Sequence, residues 1–384
     1  MEGPSPKMRT LGMTRNPYIP ALTGLRYFAA LGVLWCHFST LLPSSLVLQS
    51  LAELGGHGVG LFFVLSGFVI AHNLTLTVNP SLGRFYLQRL TRILPLTWLM
   101  LFTVSLAYQL LGNHLALMGG YQVDPQWVWS SWVVNALCLQ AWVPDFQTQQ
   151  YWNAPAWSIS AELFFYALAP LLVLRLKTLR PITLLSSTFV ATLVIWALYW
   201  RLAPQWIHDP FILDFFPIRL PLFGLLAFIY GIGFYRLHQT QEAQNHSVQI
   251  IGLLALLVAS YVLKNAWGAS TPFGVGFYYF STLPLFGVLI YRVSSDTSVI
   301  ARFLSSPWLQ SLGNASFALY LMHWLVLEFA IDLKIPFGFW HWVALVISLS
   351  GASVALHLWF EKPARQWLLS YFDKEQQVTG RSKV

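Results

Sequence analysis

Long apolar segments without charged side chains are the feature that most limits the folds open to this chain. A membrane-spanning helix needs about 20 consecutive, mostly apolar residues, because the hydrocarbon core of a bilayer is about 30 Å thick. Ten such segments can be read, with Glu162, Arg219 and Glu328 as internal exceptions. They lie at residues 27–45, 57–79, 93–112, 155–174, 181–200, 215–235, 248–264, 274–291, 312–332 and 340–359. The sequence therefore predicts an all-α, polytopic membrane protein of about ten transmembrane helices.

An eleventh apolar run, 127–143, is shorter and more aromatic, and whether it crosses decides the topology. Cytoplasmic loops carry the excess of Lys and Arg. With a cytoplasmic N-terminus and ten crossings, every basic cluster lies inside, whereas an eleventh crossing would place the Arg175 cluster and all later ones outside. We therefore predict that 127–143 is a re-entrant or interfacial segment on the outer side. Both termini are then expected on the cytoplasmic side of the cell's inner membrane.

Composition supports one membrane unit and argues against a nucleic-acid-binding protein. Hydrophobic residues make up 56% of the chain and charged residues only 9%. The formal charge of +8 is scattered among loops between apolar runs, so membrane lipids and an anionic cofactor are the better partners. Cys36 and Cys138 lack disulfide or metal-ligand spacing. We expect a cytoplasmic segment at 1–19, without a cleavable signal peptide, a transmembrane domain at 20–370 and a cytoplasmic tail at 371–384.

The first predicted helix carries two ionisable side chains that share one face. His37 follows Arg26 by eleven residues, which returns the side chain to the same face and raises it by about 16 Å. Ionisable groups inside membrane helices are costly and usually face a cavity or a partner. The pair is therefore a candidate functional site. The alternative is an arginine that anchors the helix at the cytoplasmic surface and a histidine that only packs against a neighbouring helix.

A second basic group lies at the start of the third predicted span. Arg89 and Arg92 are three residues apart, so on a helix they share a face at the cytoplasmic surface. Together with Arg26 they would form a three-cation site suited to phosphate, because the guanidinium fork matches such oxygens. Ordinary anchoring by positively charged residues is the competing interpretation.

A carboxylate stands in the outer half of the span that begins near residue 155. Glu162 has no charged neighbour within that segment, and a partly desolvated Glu beside an imidazole is a common acid–base pair. Since His37 also falls in the outer half, we predict that the two side chains are the catalytic groups. The alternative for Glu162 is a hydrogen bond to a neighbouring helix.

Two more histidines and several small residues lie in the same spans. His72 either lines a cavity or is structural, and His323 is either catalytic or structural. The small residues Gly58, Gly60, Ser66 and Gly67 favour close helix approach. Near the outer end of the span at 215–235, the polar residues Asp209, Asp214 and Arg219 are candidates for binding an acceptor, although interfacial solvation explains them nearly as well.

In order along the chain, these stretches resemble the motifs of the acyltransferase 3 family of integral membrane acyltransferases. The likeness covers about residues 20–367. It rests on the arginine, ten residues, histidine pattern of Arg26 and His37, on LFFVLSGFVI, on Arg89-x-x-Arg92, on WSISAE at 157–162, and on SFALYLMHW and EKPAR. Thr23 and Tyr27 depart from the family pattern, which commonly has Asp and Gly there. Some relatives carry a C-terminal hydrolase-like domain, and we expect this chain to be a stand-alone member without one.

The resemblance implies an acyl-CoA-dependent O-acyltransferase. An acyl group, most often acetyl, would pass from cytoplasmic acyl-CoA to a hydroxyl of a glycan or lipid-linked glycan on the outer side, as in polysaccharide O-acetylation. His37 and Glu162 would be catalytic, and Arg26, Arg89 and Arg92 would bind the CoA phosphates. Supporting roles are expected for a further set: Ser66, His72, Trp157, Ser160 and His323. No metal is expected.

Two other classes of protein fit the same composition. A secondary transporter of glycans or anions would also bury His, Glu and Arg, but it typically has two repeat halves, and we find no such symmetry. A non-catalytic scaffold would not need an intramembrane His and Glu. Release of CoA from labelled acetyl-CoA separates the enzyme from both.

Overall fold

The protein is a bundle of helices, as the sequence predicts. The computed structural model describes residues 18–41, 54–76, 81–111, 125–206, 215–267, 271–335 and 338–378, and these contain helices but no strand beyond a single isolated bridge between Gln244 and Asp296. The all-α fold is therefore confirmed. The helices are α1 (Pro20–Phe38), α2 (Gly58–Leu76), α3 (Leu82–Leu111), α4 (Pro125–Ala136), α5 (Phe146–Gln150), α6 (Trp157–Leu176), α7 (Pro181–Trp206), α8 (Pro221–His238), α9 (Ser247–Ala266), α10 (Pro272–Ser294), α11 (Val299–Leu304), α12 (Pro307–Asn314), α13 (Ser316–Asp332), α14 (Phe339–Leu356) and α15 (Lys362–Val378).

Most of the long helices can cross a membrane. Within the described ranges, seven are long and apolar enough to do so, or eight if α12 and α13, which meet at a bend of 59°, form one span. Helices α1 and α8 correspond to two further predicted spans, and both carry ionisable side chains. The chain is thus a multi-pass membrane protein, while the number of ten crossings stays a prediction.

The aromatic run at 127–143 forms a short helix followed by a turn. Helix α4 has 12 residues, which gives a length of about 18 Å against a hydrocarbon core of about 30 Å. Cys138 then turns the chain with φ of 54°. Trp98 Nε1 on α3 donates a hydrogen bond of 2.8 Å to the Ala136 carbonyl at the end of α4. A helix this short agrees with the prediction that the segment does not cross.

Helices α2 and α8 form the closest helix pair of the core because glycine removes the side chains between them. A Cβ atom on Gly67 would lie 2.0 Å from the Phe228 carbonyl oxygen, and one on Gly231 would lie 2.0 Å from the Val64 oxygen. No other residue tolerates such distances, so the two backbones touch directly. The predicted close approach at Gly67 is confirmed.

Close backbone packing at a glycine also positions α1, the helix that carries Arg26 and His37. A Cβ atom on Gly24 would lie 2.1 Å from the carbonyl oxygen of Leu304, at the end of α11. Helix α1 also packs against α12 and α13. This close packing sets the height and rotation of α1 and thereby positions its two ionisable side chains.

The topology can be tested by labelling single cysteines in a background without Cys36 and Cys138. Lys177→Cys, at the exposed end of α6, should react with an impermeant maleimide only from the cytoplasmic side. Gln126→Cys, at the start of α4, should react only from the outer side. Labelling of position 177 from outside alone would overturn the predicted arrangement of basic loops.

Candidate active site

Two imidazoles meet where α1 and α13 pack together. Nδ1 of His37 lies 2.8 Å from Nε2 of His323, and the rings are nearly parallel, with centroids 5.1 Å apart and an interplanar angle of 9°. His323 is fully buried. The indole of Trp324 stands edge-on to His37 at 5.2 Å and 82°. We call His37 and His323 the imidazole pair.

The contact between the imidazoles allows two neutral arrangements. Either Nδ1 of His37 donates to Nε2 of His323, or Nε2 of His323 donates to Nδ1 of His37. Nδ1 of His323 is buried and makes no hydrogen bond to any part of the chain that the structure describes. When Nδ1 of His37 is the donor, Nε2 of His37 is the acceptor nitrogen of its ring.

The described partners of Glu162 are Ser66, Tyr166 and two of the predicted arginines. Its Oε1 accepts a hydrogen bond of 3.2 Å from Ser66 and a short one from the Tyr166 hydroxyl. It also interacts electrostatically with Arg26 and Arg89. The described contacts of Glu162 are thus with the arginine side of the site, whereas the hydrogen-bonding partner of His37 is His323.

Ser158 marks the part of α6 that lies next to His323. Its hydroxyl is 2.8 Å from the hydroxyl of Tyr320, whose ring centroid is 5.9 Å from that of His323. Glu162 follows Ser158 by four residues, a rise of about 6 Å along the helix. The catalytic pairing of His37 with Glu162 stays a prediction.

The three predicted phosphate-binding arginines do come together. Arg26, Arg89 and Arg92 line two adjoining cavities at once. The guanidinium of Arg89 lies over the rings of Phe85 and Tyr166, at 5.5 and 5.6 Å. Arg26 has the other two arginines and Glu162 as its electrostatic neighbours. Three such cations in one place are a candidate anion site.

One of the two cavities, which we call the chamber, runs from the arginines towards the imidazole pair. It has a volume of about 80 Å³. Its wall is mostly apolar, with a few polar groups that include Ser66, Ser158, Glu162, Tyr166 and Tyr320. A narrow apolar cavity with sparse polar groups suits a flexible organic ligand.

Tyr320 separates the chamber from the imidazole pair. Its hydroxyl lies 2.8 Å from both the Pro155 carbonyl oxygen and Ser158 Oγ. Its ring centroid is 5.9 Å from that of His323. The chamber therefore ends one side chain away from the two imidazoles.

The other cavity, which we call the vestibule, begins at the same arginines and has a volume of about 570 Å³. His72 lines it, buried, with its ring 5.4 Å from that of Tyr235. Of the supporting residues predicted from sequence, Ser66 is in the chamber and His72 is in the vestibule.

Arg219 approaches the imidazole pair from another side. It lies close enough to His37 to interact electrostatically. Its guanidinium is 5.8 Å from the Trp157 ring, and NH1 donates a hydrogen bond of 3.3 Å to Gln149 Oε1. Asp209 and Asp214, the other two candidate acceptor-binding residues, lie outside the described residues.

Ser160 has a structural contact instead. Its hydroxyl oxygen accepts a hydrogen bond of 3.4 Å from the Ala141 backbone and so ties α6 to the turn after α4. In the described ranges, no group of three or more His, Cys, Asp or Glu side chains could hold a metal ion.

Sequence reasoning missed three residues of α13 that surround the imidazole pair. Tyr320, Trp324 and Glu328 recur every four residues, on the helix face next to His323. Glu328 is fully buried and accepts a hydrogen bond of 3.0 Å from Trp324 Nε1, which fixes the indole against His37. The helical spacing of these polar-tipped residues in an apolar segment was the signal that could have found them.

The fold and this site define a class of protein before any comparison is made. Buried ionisable side chains around an internal cavity in a membrane bundle are typical of a protein that binds or transforms a polar substrate. The chain matches the family model described as an acyltransferase domain over residues 19–361. It therefore belongs to the acyltransferase 3 family, as its motifs predict.

The chain is similar to two kinds of curated protein. It is 28% identical over 333 residues to the acyltransferase MdmB of Streptomyces mycarofaciens, which covers 81% of this chain and 79% of the relative. It is 26% identical over 343 residues to the O-acetyltransferase OatA of Staphylococcus aureus, covering 81% of this chain and 51% of the relative. The chain thus spans about half the length of OatA. No solved structure matches it significantly.

Proposed function

We propose that this membrane acyltransferase moves an acyl group, acetyl in the first instance, from cytoplasmic acyl-CoA to a hydroxyl of a glycan or lipid-linked glycan at the outer side of the inner membrane. The observation that carries the proposal is an ordered series of groups: three arginines, the chamber, the imidazole pair and Arg219. The similarity to OatA, an O-acetyltransferase, supports acetyl transfer to oxygen.

The donor would occupy the chamber in one direction only. Arg26, Arg89 and Arg92 would bind phosphate oxygens of CoA, since bidentate arginine contacts suit such groups. The pantetheine arm is long and mostly apolar with two amides, which matches an apolar chamber with few polar groups. Its thioester would then reach Tyr320 and the imidazole pair.

Glu162 would orient His37 or balance the charge of its imidazolium, as the sequence predicts. Its contacts with Ser66, Tyr166 and the arginines also favour a part in holding the donor. The carboxylate offsets part of the positive charge of Arg26 and Arg89. His323 would support the His37 imidazole from α13.

The chemistry would take place at Nε2 of His37. As a general base, this nitrogen takes the proton of the acceptor hydroxyl while its oxygen attacks the thioester carbon. The carbon–sulfur bond breaks, and the CoA thiolate takes up the proton from the imidazolium. Alternatively, Nε2 attacks the thioester carbon, the carbon–sulfur bond breaks and CoA leaves as the thiolate. The acceptor oxygen then attacks the acyl group, the carbon–nitrogen bond breaks, and the acceptor's proton passes through the freed Nε2 to the thiolate. Both routes need the tautomer in which Nδ1 of His37 donates to Nε2 of His323.

The acceptor would approach from the side of Arg219. Its guanidinium can donate hydrogen bonds to sugar hydroxyls, and the Trp157 ring beside it offers a face on which a sugar can stack. Asp209 and Asp214 remain proposed acceptor-binding residues.

Removing charge at the arginine site should weaken donor binding more than folding. Each charge-assisted hydrogen bond is worth about 1.5–3 kcal/mol, so Arg89→Gln or Arg92→Gln should raise the Kd for CoA by a factor on the order of ten or more. Arg84→Gln is a matched control, because Arg84 lies on the same helix but forms an exposed ion pair of 2.8 Å with Asp373. Calorimetric titration with CoA measures the effect. If both variants bound CoA with unchanged affinity, these arginines would only anchor the helix at the membrane surface.

The function itself is tested with radiolabelled acetyl-CoA and purified protein in lipid nanodiscs. Release of CoA and transfer of label to an added acceptor support the enzyme. A transporter or scaffold would give neither, and a transporter would instead move its solute across proteoliposomes without consuming acetyl-CoA.

A further inference from the structure

The vestibule collects more positive charge than the three predicted arginines. Five cationic side chains line it, contributed by α1, α3 and α15: Arg26, Arg89, Arg92, Lys362 and Arg365. Among the described residues that line it, Glu361 is the one carboxylate, and it already accepts a hydrogen bond of 2.9 Å from His357. Like charges gathered with so little compensation repel one another, which points to an anionic ligand.

The five cations fall into two groups by position. Arg26, Arg89 and Arg92 stand at the junction, because they line both the chamber and the vestibule. Lys362 and Arg365 line the vestibule alone. The vestibule group is therefore the one farther from the imidazole pair.

One buried hydrogen-bond donor in each group lacks a partner among the described residues. Nε of Arg89 and Nε of Arg365 are buried and make no hydrogen bond to any part of the chain that the structure describes. Arg365 is also close enough to Arg89 and Arg92 for repulsion between them. A buried donor without an acceptor costs free energy. A ligand with one acceptor for each group would remove that cost at Arg89 and at Arg365.

We propose that Lys362 and Arg365 form a second phosphate subsite, which binds the ribose 3′-phosphate of acyl-CoA. This inference rests on the proposed function. Along the CoA molecule, the thioester is followed by pantetheine, then the diphosphate, and then the ribose with its separate phosphate monoester. The protein presents matching groups in the same order: the imidazole pair, the chamber, the junction arginines, and finally Lys362 and Arg365.

The subsite gives the start of α15 a function other than contact with lipid. An anionic lipid headgroup offers the same phosphate chemistry, and Lys362 is exposed enough to meet one. A guanidinium that is partly buried in a cavity wall beside Arg89 and Arg92 is better placed for a ligand inside the vestibule.

The test compares CoA with 3′-dephospho-CoA, which differs only by this phosphate. Calorimetric titrations use the full chain in nanodiscs of neutral lipid, as wild type, Arg365→Gln, and the double variant Lys362→Gln with Arg365→Gln. Wild type should bind CoA more tightly by a factor on the order of ten or more, as one or more charge-assisted hydrogen bonds predict. The double variant should lose this preference, and Arg365→Lys should retain part of it.

Two controls separate the subsite from its neighbours. Arg92→Gln should weaken both ligands and keep the preference, since it acts on the diphosphate. Arg302→Gln, at an exposed position of α11 outside the vestibule, should change neither. Thermal unfolding of each variant checks that the protein is folded.

Three results would overturn the subsite. One is equal binding of the two ligands by wild type, and another is an unchanged preference in the folded double variant. The third is thermal stabilisation by anionic lipid that requires Lys362 and Arg365, in a protein that does not prefer CoA over 3′-dephospho-CoA. That result would assign the two side chains to a lipid headgroup. In each case transfer from acetyl-CoA can persist, so the proposed function survives. If wild type neither bound CoA nor released it from acetyl-CoA, the proposed function would fail together with the subsite.

Discussion

Replacing His37 with alanine should lower acyl transfer by a factor on the order of 10² or more while CoA binding is retained. The imidazole lies beyond Tyr320 from the chamber and eleven residues from Arg26, too far along α1 to contact CoA phosphates. Its loss should therefore cost the chemical step and leave the affinity for the donor. Transfer of label from acetyl-CoA and calorimetric titration with CoA measure the two properties separately.

The variant His37→Gln sharpens this test. Glutamine can hydrogen-bond to His323, but its amide can neither take a proton from a hydroxyl nor carry an acyl group, so transfer should fail equally. His341→Ala, at an exposed position of α14, is the matched control and should retain wild-type transfer. A folded His37→Ala protein with most of its transfer rate would exclude His37 as the catalytic group.

The sequence predicts the membrane fold well because length and apolarity suffice for it. Helix α2, for example, is apolar on every side, and only a bilayer or a surrounding bundle can bury such a helix. The number of crossings is harder to derive. Helices α1 and α8 carry ionisable residues and are enclosed by other helices, so composition alone does not distinguish a crossing there from a buried element.

Within the site, the sequence predicts a shared face on one helix better than a contact between two helices. The spacing of Arg89 and Arg92 correctly indicates a shared face, because three residues on one helix leave no other arrangement. The pairing of His37 with Glu162 needs the relative rotation and height of two helices, which no local pattern encodes. The partner that the structure gives His37 comes from α13, nearly three hundred residues later.

The hydrogen-bond network around His323 also restricts the orientation of the His37 ring. His323 is fully buried, and its Nε2 meets Nδ1 of His37 at 2.8 Å. A buried polar atom stays in place only if its partners satisfy it, so each imidazole restricts the orientation of the other. Trp324 and Glu328 add a second restraint from the same helix. We therefore treat His323 as a positioning residue that acts through His37.

Replacing His323 should lower kcat strongly and leave the KM for acyl-CoA nearly unchanged. Phenylalanine preserves the stacked ring but offers no acceptor to Nδ1 of His37, so His323→Phe should lose a factor on the order of 10² in rate, the scale of a misplaced base. His323→Gln should recover part of the loss, because its amide oxygen can accept the Nδ1 proton and keep Nε2 of His37 as the base.

Glutamine thus has opposite expected outcomes at the two positions of the imidazole pair: failure at His37 and partial rescue at His323. Steady-state transfer by both Gln variants and His323→Phe, with folding checked by thermal unfolding, measures the contrast. Equal activity of His323→Phe and His323→Gln would show that the hydrogen bond contributes nothing to the rate. If His323→Gln were as inactive as His37→Gln, His323 would itself have to take or carry the transferred group, and the two imidazoles would exchange roles.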